Sequence, residues 1–135
     1  MSDERKAFSL SFPAQAEYIV LCRLGVTALS QLAQIDDETV EDLKLAVTEA
    51  CTNVVQHAYL EGGAGRIDLT YEAQAEFVGI TVEDSGVGHL YPRPHAPDDR
   101  EGGMGLAIIR SLVDEVELVP GSDGRGTRLS LAKRI

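Results

Sequence analysis

The chain has 135 residues, of which 44% are hydrophobic and 25% charged, and its formal net charge at pH 7 is −10. These values are typical of one soluble globular domain, and they exclude a mainly disordered chain, a collagen and a coiled-coil rod. The acidic balance disfavours direct partners that are themselves polyanions, such as nucleic acid or an anionic membrane surface. A phosphorylated ligand would therefore have to be held by backbone N–H groups or a bridging cation.

Two cysteines, Cys22 and Cys51, stand in apolar helical surroundings without the spacing of zinc ligands. We predict that both are small buried hydrophobic residues with free thiols. The charged N-terminus lacks the apolar stretch of a signal peptide, and no apolar run is long enough to span a bilayer. We expect a single domain over residues 1–135, located in the cytoplasm.

Hydrophobic periodicity predicts the element order β-α-α-β-β-loop-α-β-β. Alternation of apolar and polar positions predicts strands at residues 7–12, 66–71, 76–82, 116–119 and 127–132. Helical spacing predicts helices at residues 14–34, from the acidic residues 36–38 to about 59, and 104–113. This order predicts an α+β fold, a two-layer sandwich with helices on one face of a mostly antiparallel sheet.

The apolar positions of the first two predicted helices each share one side. In the first helix they are Ile19, Val20, Leu24, Ala28 and Leu32; in the second they are Leu43, Val47, Ala50 and Val54. The acidic residues 36–38 supply an N-cap candidate and favourable charge for the first turn of the second helix.

Glu49, Asn53 and His57 recur every four residues and so form one polar stripe on the second predicted helix. An amide oxygen suits Mg²⁺, and a neighbouring carboxylate can accept a proton from an incoming hydroxyl group. Taken alone, the stripe is explained as well by a solvated helix face. For His57, a capping or supporting role near the helix end is the simpler interpretation.

The segment Asp-Ser-Gly-Val-Gly, residues 84–88, follows an apolar strand directly. Two glycines at alternate positions allow the backbone to approach a ligand closely, and Asp84 could accept a hydrogen bond from an exocyclic amine such as that of adenine. An ordinary tight turn explains the same residues.

The segment Gly-Gly-Met-Gly-Leu, residues 102–106, precedes and opens the third predicted helix. Unpaired N–H groups at a helix N-terminus attract an anion. The spacing matches neither a Walker A motif nor a dinucleotide-binding glycine motif. Between the two glycine segments, residues 89–101 form a polar, proline-punctuated stretch whose length is typical of a lid.

In this order the motifs resemble those of the GHKL ATPases, which have the Bergerat ATP-binding fold. Residues 49–53 resemble the N box, residues 84–88 and 103–106 the two glycine boxes, and Gly126-Thr127 the terminal G-T element. The resemblance covers about residues 8–133. Within this superfamily the chain resembles the anti-sigma-factor serine kinases, both in the run DLKLAVTEACTNVVQHAY and in its short length. We expect no attached dimerisation or transducer domain.

The resemblance implies a role for each matched residue. Glu49 would be the general base on a serine hydroxyl, Asn53 would ligate Mg²⁺, and Asp84 would bind the adenine amine. The residues implied to contact other parts of ATP are Gly86 and Gly88 beneath the nucleotide, Gly103, Met104, Gly105 and Leu106 around the phosphates, and Thr127 near the adenine.

The same resemblance implies a protein-serine kinase that uses ATP and Mg²⁺ and acts as an anti-sigma factor. It would phosphorylate a serine of a STAS-type antagonist protein, sequester a sigma factor, and form a homodimer. A second hypothesis is a catalytically inactive nucleotide-binding module that regulates a partner by sequestration. A third is a structural domain without a ligand, which requires three motifs to coincide by chance.

Overall fold

The computed structural model describes residues 5–58, 65–86, 100–121 and 125–135. Within these ranges, five strands form one antiparallel sheet in the spatial order β1-β2-β3-β5-β4. The strands are β1 (Lys6–Pro13), β2 (Arg66–Ala73), β3 (Phe77–Asp84), β4 (Glu115–Pro120) and β5 (Thr127–Arg134). The helices are α1 (Val20–Leu32), α2 (Asp37–Asn53) and α3 (Arg100–Leu112). The predicted α+β fold and the predicted element order are therefore confirmed.

Two short helical turns were not predicted as separate elements. A 3₁₀ turn at Ala16–Tyr18 precedes α1, and a π-helical turn at Val54–Ala58 follows α2. The first and second predicted helices are therefore each divided into a regular helix and a turn of different pitch. None of the helices in the described ranges combines the length and apolar character that crossing a membrane requires.

The hydrophobic core lies between the helices and one face of the sheet. Because side chains alternate between faces along a strand, the register brings buried residues of neighbouring strands into rows. The central rows are Tyr71–Ile80–Leu131 and Leu69–Val82–Leu129. The predicted core side of the second helix is confirmed, since the residues that form it are all buried: Leu43, Val47, Ala50 and Val54.

Tyr71 fixes the distance between α1 and the sheet. Its hydroxyl donates a hydrogen bond of 2.8 Å to the carbonyl oxygen of Cys22, and its ring stacks on Phe8 with centroids 4.9 Å apart. A Cβ atom on Gly25 would overlap the ring of Tyr71. Glycine at this helical position therefore allows α1 to pack directly on the tyrosine.

The apolar side predicted for the first helix lies along the outside of the molecule. Val20, Leu24, Ala28 and Leu32 are exposed, and the buried side of α1 consists instead of Cys22, Gly25, Val26 and Leu29. The close contact of Gly25 with Tyr71 directs this other side of α1 towards the sheet. Of the predicted apolar side, Ile19 alone packs against the core. Cys22 and Cys51 are buried free thiols, as predicted.

Helix α2 begins at the predicted N-cap and runs antiparallel to α3. The Asp36 carboxylate accepts a 2.9 Å hydrogen bond from the N–H of Thr39, which satisfies an unpaired first-turn amide. At the C-terminal end of α3, the ammonium group of Lys133 donates a 2.9 Å hydrogen bond to the carbonyl oxygen of Leu112. The same ammonium group lies 3.5 Å from the carboxylate of Asp42, near the start of α2. The start of α2 is thus tied to the end of α3.

We expect Gly25→Ala to destabilise the protein by about 1–3 kcal/mol, because the added methyl group overpacks the contact with Tyr71. Alanine favours a helix over glycine by about 1 kcal/mol, so a loss of stability would show that the contact dominates. Urea unfolding followed by circular dichroism measures the difference. The control is Gly79→Ala, since a Cβ atom there would have no neighbour nearer than 3.6 Å. Equal stability of the two variants would contradict the expectation.

Candidate active site

Asp84 continues the core-facing row of β3 beyond its last apolar residue. Val78, Ile80 and Val82 point into the core, and the two-residue period places Asp84 on the same face, only 2% exposed. Its register partner on β5 is Thr127, which is also buried. The sheet therefore ends in a pair of polar side chains beneath the helical layer, and the two residues predicted to contact adenine lie side by side.

The two oxygens of the Asp84 carboxylate have different surroundings. Oδ1 accepts a 2.8 Å hydrogen bond from the N–H of Gly86, whereas Oδ2 is buried without a partner. Burial raises the pKa of Asp84, and hydrogen bonds from the amides of Gly86 and Thr127 partly oppose this rise. The arrangement fixes the carboxylate by one oxygen and leaves the other able to accept a hydrogen bond from a ligand.

Two glycines allow the backbone to close around Asp84. A Cβ atom on Gly86 would overlap the carbonyl oxygen of Ala58, and one on Gly126 would overlap the carbonyl oxygen of Asp84. Gly126 also has a φ of +69°, which favours glycine. Gly86 therefore packs the first glycine segment against the π-helical turn, and Gly126 brings β5 against the end of β3. Gly88 lies outside the described residues.

Glu49 and Asn53 converge on Gly105 of the neighbouring helix. A Cβ atom on Gly105 would lie 2.9 Å from Asn53 Nδ2 and 3.0 Å from Glu49 Oε2. Asn53 is 3% exposed and its Nδ2 atom has no hydrogen-bond partner, whereas Glu49 is half-buried. The structure thus brings together a carboxylate, a buried amide and a residue without a side chain.

The predicted polar stripe does not extend to His57, which is exposed while Asn53 is buried. The reason is the π-helical turn that begins at Val54. A π-helical turn contains more residues than an α-helical one, so residues four apart no longer lie above one another. The same turn connects Asn53 to Ala58, which contacts Gly86. It therefore joins the Glu49–Asn53–Gly105 group to the group around Asp84.

The second glycine segment lies inside α3 and not ahead of it. The helix begins at Arg100, so the predicted start at Met104 is wrong by four residues. Only the first four N–H groups of an α-helix lack an intrahelical acceptor. With Arg100 as the first helical residue, these groups end at Gly102, so Gly103, Met104 and Gly105 all follow them. Leu106 packs against the core. The predicted contacts of these four residues with phosphates remain predictions. The predicted lid at residues 89–101 lies outside the described residues apart from the start of α3.

The donor groups of the site fit a magnesium ion that is held mainly by phosphates. Mg²⁺ takes oxygen ligands and usually binds one or two protein groups together with phosphates and water. The amide oxygen of Asn53 supplies one such ligand atom, whereas the unpartnered atom near Gly105 is the Nδ2 nitrogen, which can donate a hydrogen bond to a phosphate oxygen. Within the described ranges, no group of three or more His, Cys, Asp or Glu side chains is arranged to hold a metal ion.

Comparison with known families identifies the family and the fold. The model of the histidine kinase-like ATPase domain matches residues 12–133. This chain belongs to that family. The resemblance to the GHKL ATPases is therefore confirmed, and ATP is the nucleotide that membership indicates. The match includes every residue predicted for the site.

Similar proteins include serine-protein kinases. The serine-protein kinase RsbW of Staphylococcus aureus (strain JH9) is 34% identical over 147 residues, covering 100% of this chain and 91% of the relative. The same protein from strain Newman gives the same values. This family member is therefore similar over its whole length to kinases that act on serine.

Solved structures agree with the fold. The structure of the RsbU and RsbW domains of Rv1364c from Mycobacterium tuberculosis has a TM-score of 0.72 at 21% identity, covering 96% of this chain and 32% of that chain. The histidine kinase domain of Erythrobacter litoralis EL346 has a TM-score of 0.59 at 24% identity, covering 90% of this chain and 61% of that chain. At these identities the likeness supports the fold alone.

We expect Asp84→Asn to stabilise the nucleotide-free protein more at pH 7 than at acidic pH. Burial raises the folded pKa of Asp84 above that of an unfolded aspartate, about 3.9. As the pH rises through the unfolded pKa, the carboxyl group ionises more readily in the unfolded chain, so folding stability falls until the pH exceeds the folded pKa. Asparagine does not titrate and can still accept from Gly86.

Urea unfolding of wild type and Asp84→Asn at pH 7 and at a pH below about 3.9, the pKa of an unfolded aspartate, measures this difference. Asp68→Asn is the control, because Asp68 is an exposed carboxylate on β2 of the same sheet. A stability difference between Asp84→Asn and wild type that is independent of pH would show that folding does not raise the pKa of Asp84.

Proposed function

We propose that this protein is an ATP-dependent protein-serine kinase that acts as an anti-sigma factor, with residues 1–135 as one kinase domain. The observation that carries the proposal concerns the buried polar atoms. Among the described residues, the buried side-chain nitrogen and oxygen atoms without a hydrogen-bond partner are Asn53 Nδ2 and Asp84 Oδ2. Leaving such an atom unpaired costs about 1–3 kcal/mol. Both atoms belong to residues with a predicted role in binding ATP, which would supply the missing partners.

The Asp84 carboxylate favours adenine over guanine. Its free Oδ2 can accept a hydrogen bond from the amino group at position 6 of adenine. Guanine carries a carbonyl oxygen at this position, and two acceptors facing each other would repel. The amide of Gly86 holds the carboxylate in one orientation, so the preference is built into the folded protein.

The Glu49 carboxylate is the proposed general base for transfer to serine. It would take the proton of the serine hydroxyl as the serine oxygen forms a bond to the γ-phosphorus of ATP. The bond between that phosphorus and the β–γ bridging oxygen breaks, and ADP leaves with the electron pair. Glu49 lies beside Asn53 at Gly105, so the carboxylate would meet the hydroxyl next to the phosphate group.

The Asn53 amide is the proposed protein ligand of magnesium. When bound, Mg²⁺ would neutralise charge on the phosphate oxygens, which the acidic chain with its net charge of −10 needs in order to bind a triphosphate. The carboxylate of Glu49 is half-buried next to this amide, so both groups face the same space.

The proposed partners are a STAS-type antagonist that carries the serine, a sigma factor, and a second copy of this chain. Support comes from similarity to the serine-protein kinase RsbW over the whole chain. The exposed apolar side of α1, which includes Val20, Leu24 and Leu32, provides a surface suited to protein contact. The acidic charge argues for proteins and against nucleic acid as direct partners.

The alternative function is an inactive nucleotide-binding module that only sequesters a partner. Such a module needs Asp84 and Asn53 to bind nucleotide, but it does not need a carboxylate beside the phosphates. The position of Glu49 next to Asn53 and Gly105 therefore favours the kinase.

We expect Glu49→Gln to lower phosphate transfer by about 10²–10⁴-fold, because glutamine keeps the shape of the side chain but cannot accept the proton. The measurement is transfer of labelled γ-phosphate from ATP to a purified STAS-type antagonist, with the Kd for ATP determined by calorimetry. ATP binding should change little. Glu117→Gln is the matched control, since Glu117 is an exposed glutamate on β4. Transfer by Glu49→Gln at the wild-type rate would refute the role of base, and binding of ATP without transfer by the wild type would favour the inactive module.

We expect Gly105→Ala to fold normally and to lose about 100-fold in phosphate transfer. The added methyl group would displace the side-chain ends of Glu49 and Asn53, and misplacement of reacting groups by about 1 Å can cost this much. Both displaced groups are ends of flexible side chains, and alanine is the better helix former, so the melting temperature should be kept. Ser111→Ala, an exposed change on the same helix, is the control. A fully active Gly105→Ala variant would show that this close packing is not needed.

A further inference from the structure

We propose that Leu45 of α2 and Ile108 of α3 form a docking surface for the segment of the protein substrate that carries the phosphorylated serine. This surface, Leu45 and Ile108, would receive an apolar side chain that lies next to the serine. The proposal rests on the kinase function proposed above and names the residues that select the substrate. It does not involve the nucleotide.

Leu45 lies on the side of α2 that carries Glu49. The two residues are four apart, so their Cβ atoms are about 5–6 Å from each other along the helix. Glu49 Oε2 faces Gly105, which places this side of α2 along α3. A substrate serine that reaches Glu49 must therefore bring its neighbouring residues close to Leu45.

Ile108 occupies the matching level of α3. The antiparallel arrangement is fixed at one end by Lys133, which bonds to Leu112 and lies 3.5 Å from Asp42, and at the other by the contact of Gly105 with Glu49. Between these two points α2 carries Leu45 and α3 carries Ile108. The two apolar residues thus flank the same stretch of the groove between the helices, one turn away from Glu49.

Both side chains are open to solvent. Leu45 is 59% exposed and Ile108 is 42% exposed, although neighbouring positions on each helix, such as Ala46 and Ile109, are fully buried. A single exposed leucine needs no explanation. Two exposed apolar side chains beside a proposed catalytic carboxylate provide a place where an apolar group of a substrate can be removed from water.

The charges around the surface indicate the chemistry of its occupant. Glu38, Glu41 and Glu49 lie along the same side of α2 as Leu45, because their spacing follows the helical repeat. Glu38 and Glu41 are exposed, and Glu41 lies 3.9 Å from the ammonium group of Lys44, so these residues contribute three carboxylates and one ammonium group. A segment with an apolar residue beside the serine and a basic residue further along would match this surface. ATP has the wrong charge for it, so we assign the surface to the protein substrate.

The test is the steady-state kinetics of Leu45→Ser and Ile108→Ser with a purified STAS-type antagonist at saturating ATP and Mg²⁺. We expect the KM for the antagonist to rise about tenfold in each variant, the size typical of losing one apolar anchor in an interface. The kcat and the Kd for ATP should stay within about twofold of wild type, because neither residue contacts the reacting groups. Leu45→Met, which keeps an apolar side chain of similar volume, should have the wild-type KM.

Ile135→Ser is the matched control, because Ile135 is 42% exposed and follows β5 at the end away from Thr127. Wild-type KM values in both Leu45→Ser and Ile108→Ser would overturn the proposal, as would an equal rise in KM in Ile135→Ser. An altered sedimentation mass with an unchanged KM would assign the surface to contact between copies and also overturn it. Failure of the wild type to transfer phosphate would instead refute the kinase function on which the proposal rests.

Discussion

The burial of the Asp84 carboxylate at the end of an apolar row is the constraint on which the rest of the site depends. The alternation of β3 directs this side chain into the layer between sheet and helices, where desolvation raises its pKa. The amide of Gly86, which binds one carboxylate oxygen at 2.8 Å, and the amide of Thr127 partly offset this cost. The bond from Gly86 in turn requires the first glycine segment to turn sharply after the strand, which brings Gly86 against Ala58 of the π-helical turn.

Close backbone approach connects this constraint to the catalytic group. The π-helical turn contacts Gly86 at Ala58 and continues directly from Asn53. A side chain at position 86 would push this turn away and with it the end of α2. At the other end, the absence of a side chain at Gly105 allows Glu49 and Asn53 to face α3. The group around Asp84 and the group of Glu49 and Asn53 are therefore connected by close contacts at Gly86 and Gly105 that a side chain would obstruct.

Most of the fold, and the convergence of Glu49 with Asn53 and the burial of Asp84, could be predicted from the sequence, because they depend on local periodicity. The alternation 78-80-82-84 already places Asp84 on the core face, and spacing of four places Asn53 with Glu49. The exposed stripe of α1 could not be predicted, since apolar periodicity does not reveal that Tyr71, far along the chain, occupies the space beneath Gly25. The departure of His57 from the stripe depends on a π-helical turn, for which the sequence carries no specific signal. The helix start at Arg100 conflicts with the usual expectation that glycines lie outside helices.

The two unpartnered polar atoms lower the stability of the ligand-free protein. Asp84 Oδ2 and Asn53 Nδ2 are each buried within a well-packed layer, and each lowers the stability of the folded chain by remaining unpaired. A ligand that pairs with both recovers this loss on binding, whereas a ligand that reaches only one of them recovers half of it. Asp84 Oδ2 lies at the end of β3 and Asn53 Nδ2 at the end of α2, and the π-helical turn connects Asn53 to the contact of Ala58 with Gly86. In the proposed complex, the adenine of ATP would pair with the first atom and a phosphate oxygen with the second, so the intact nucleotide would recover both losses.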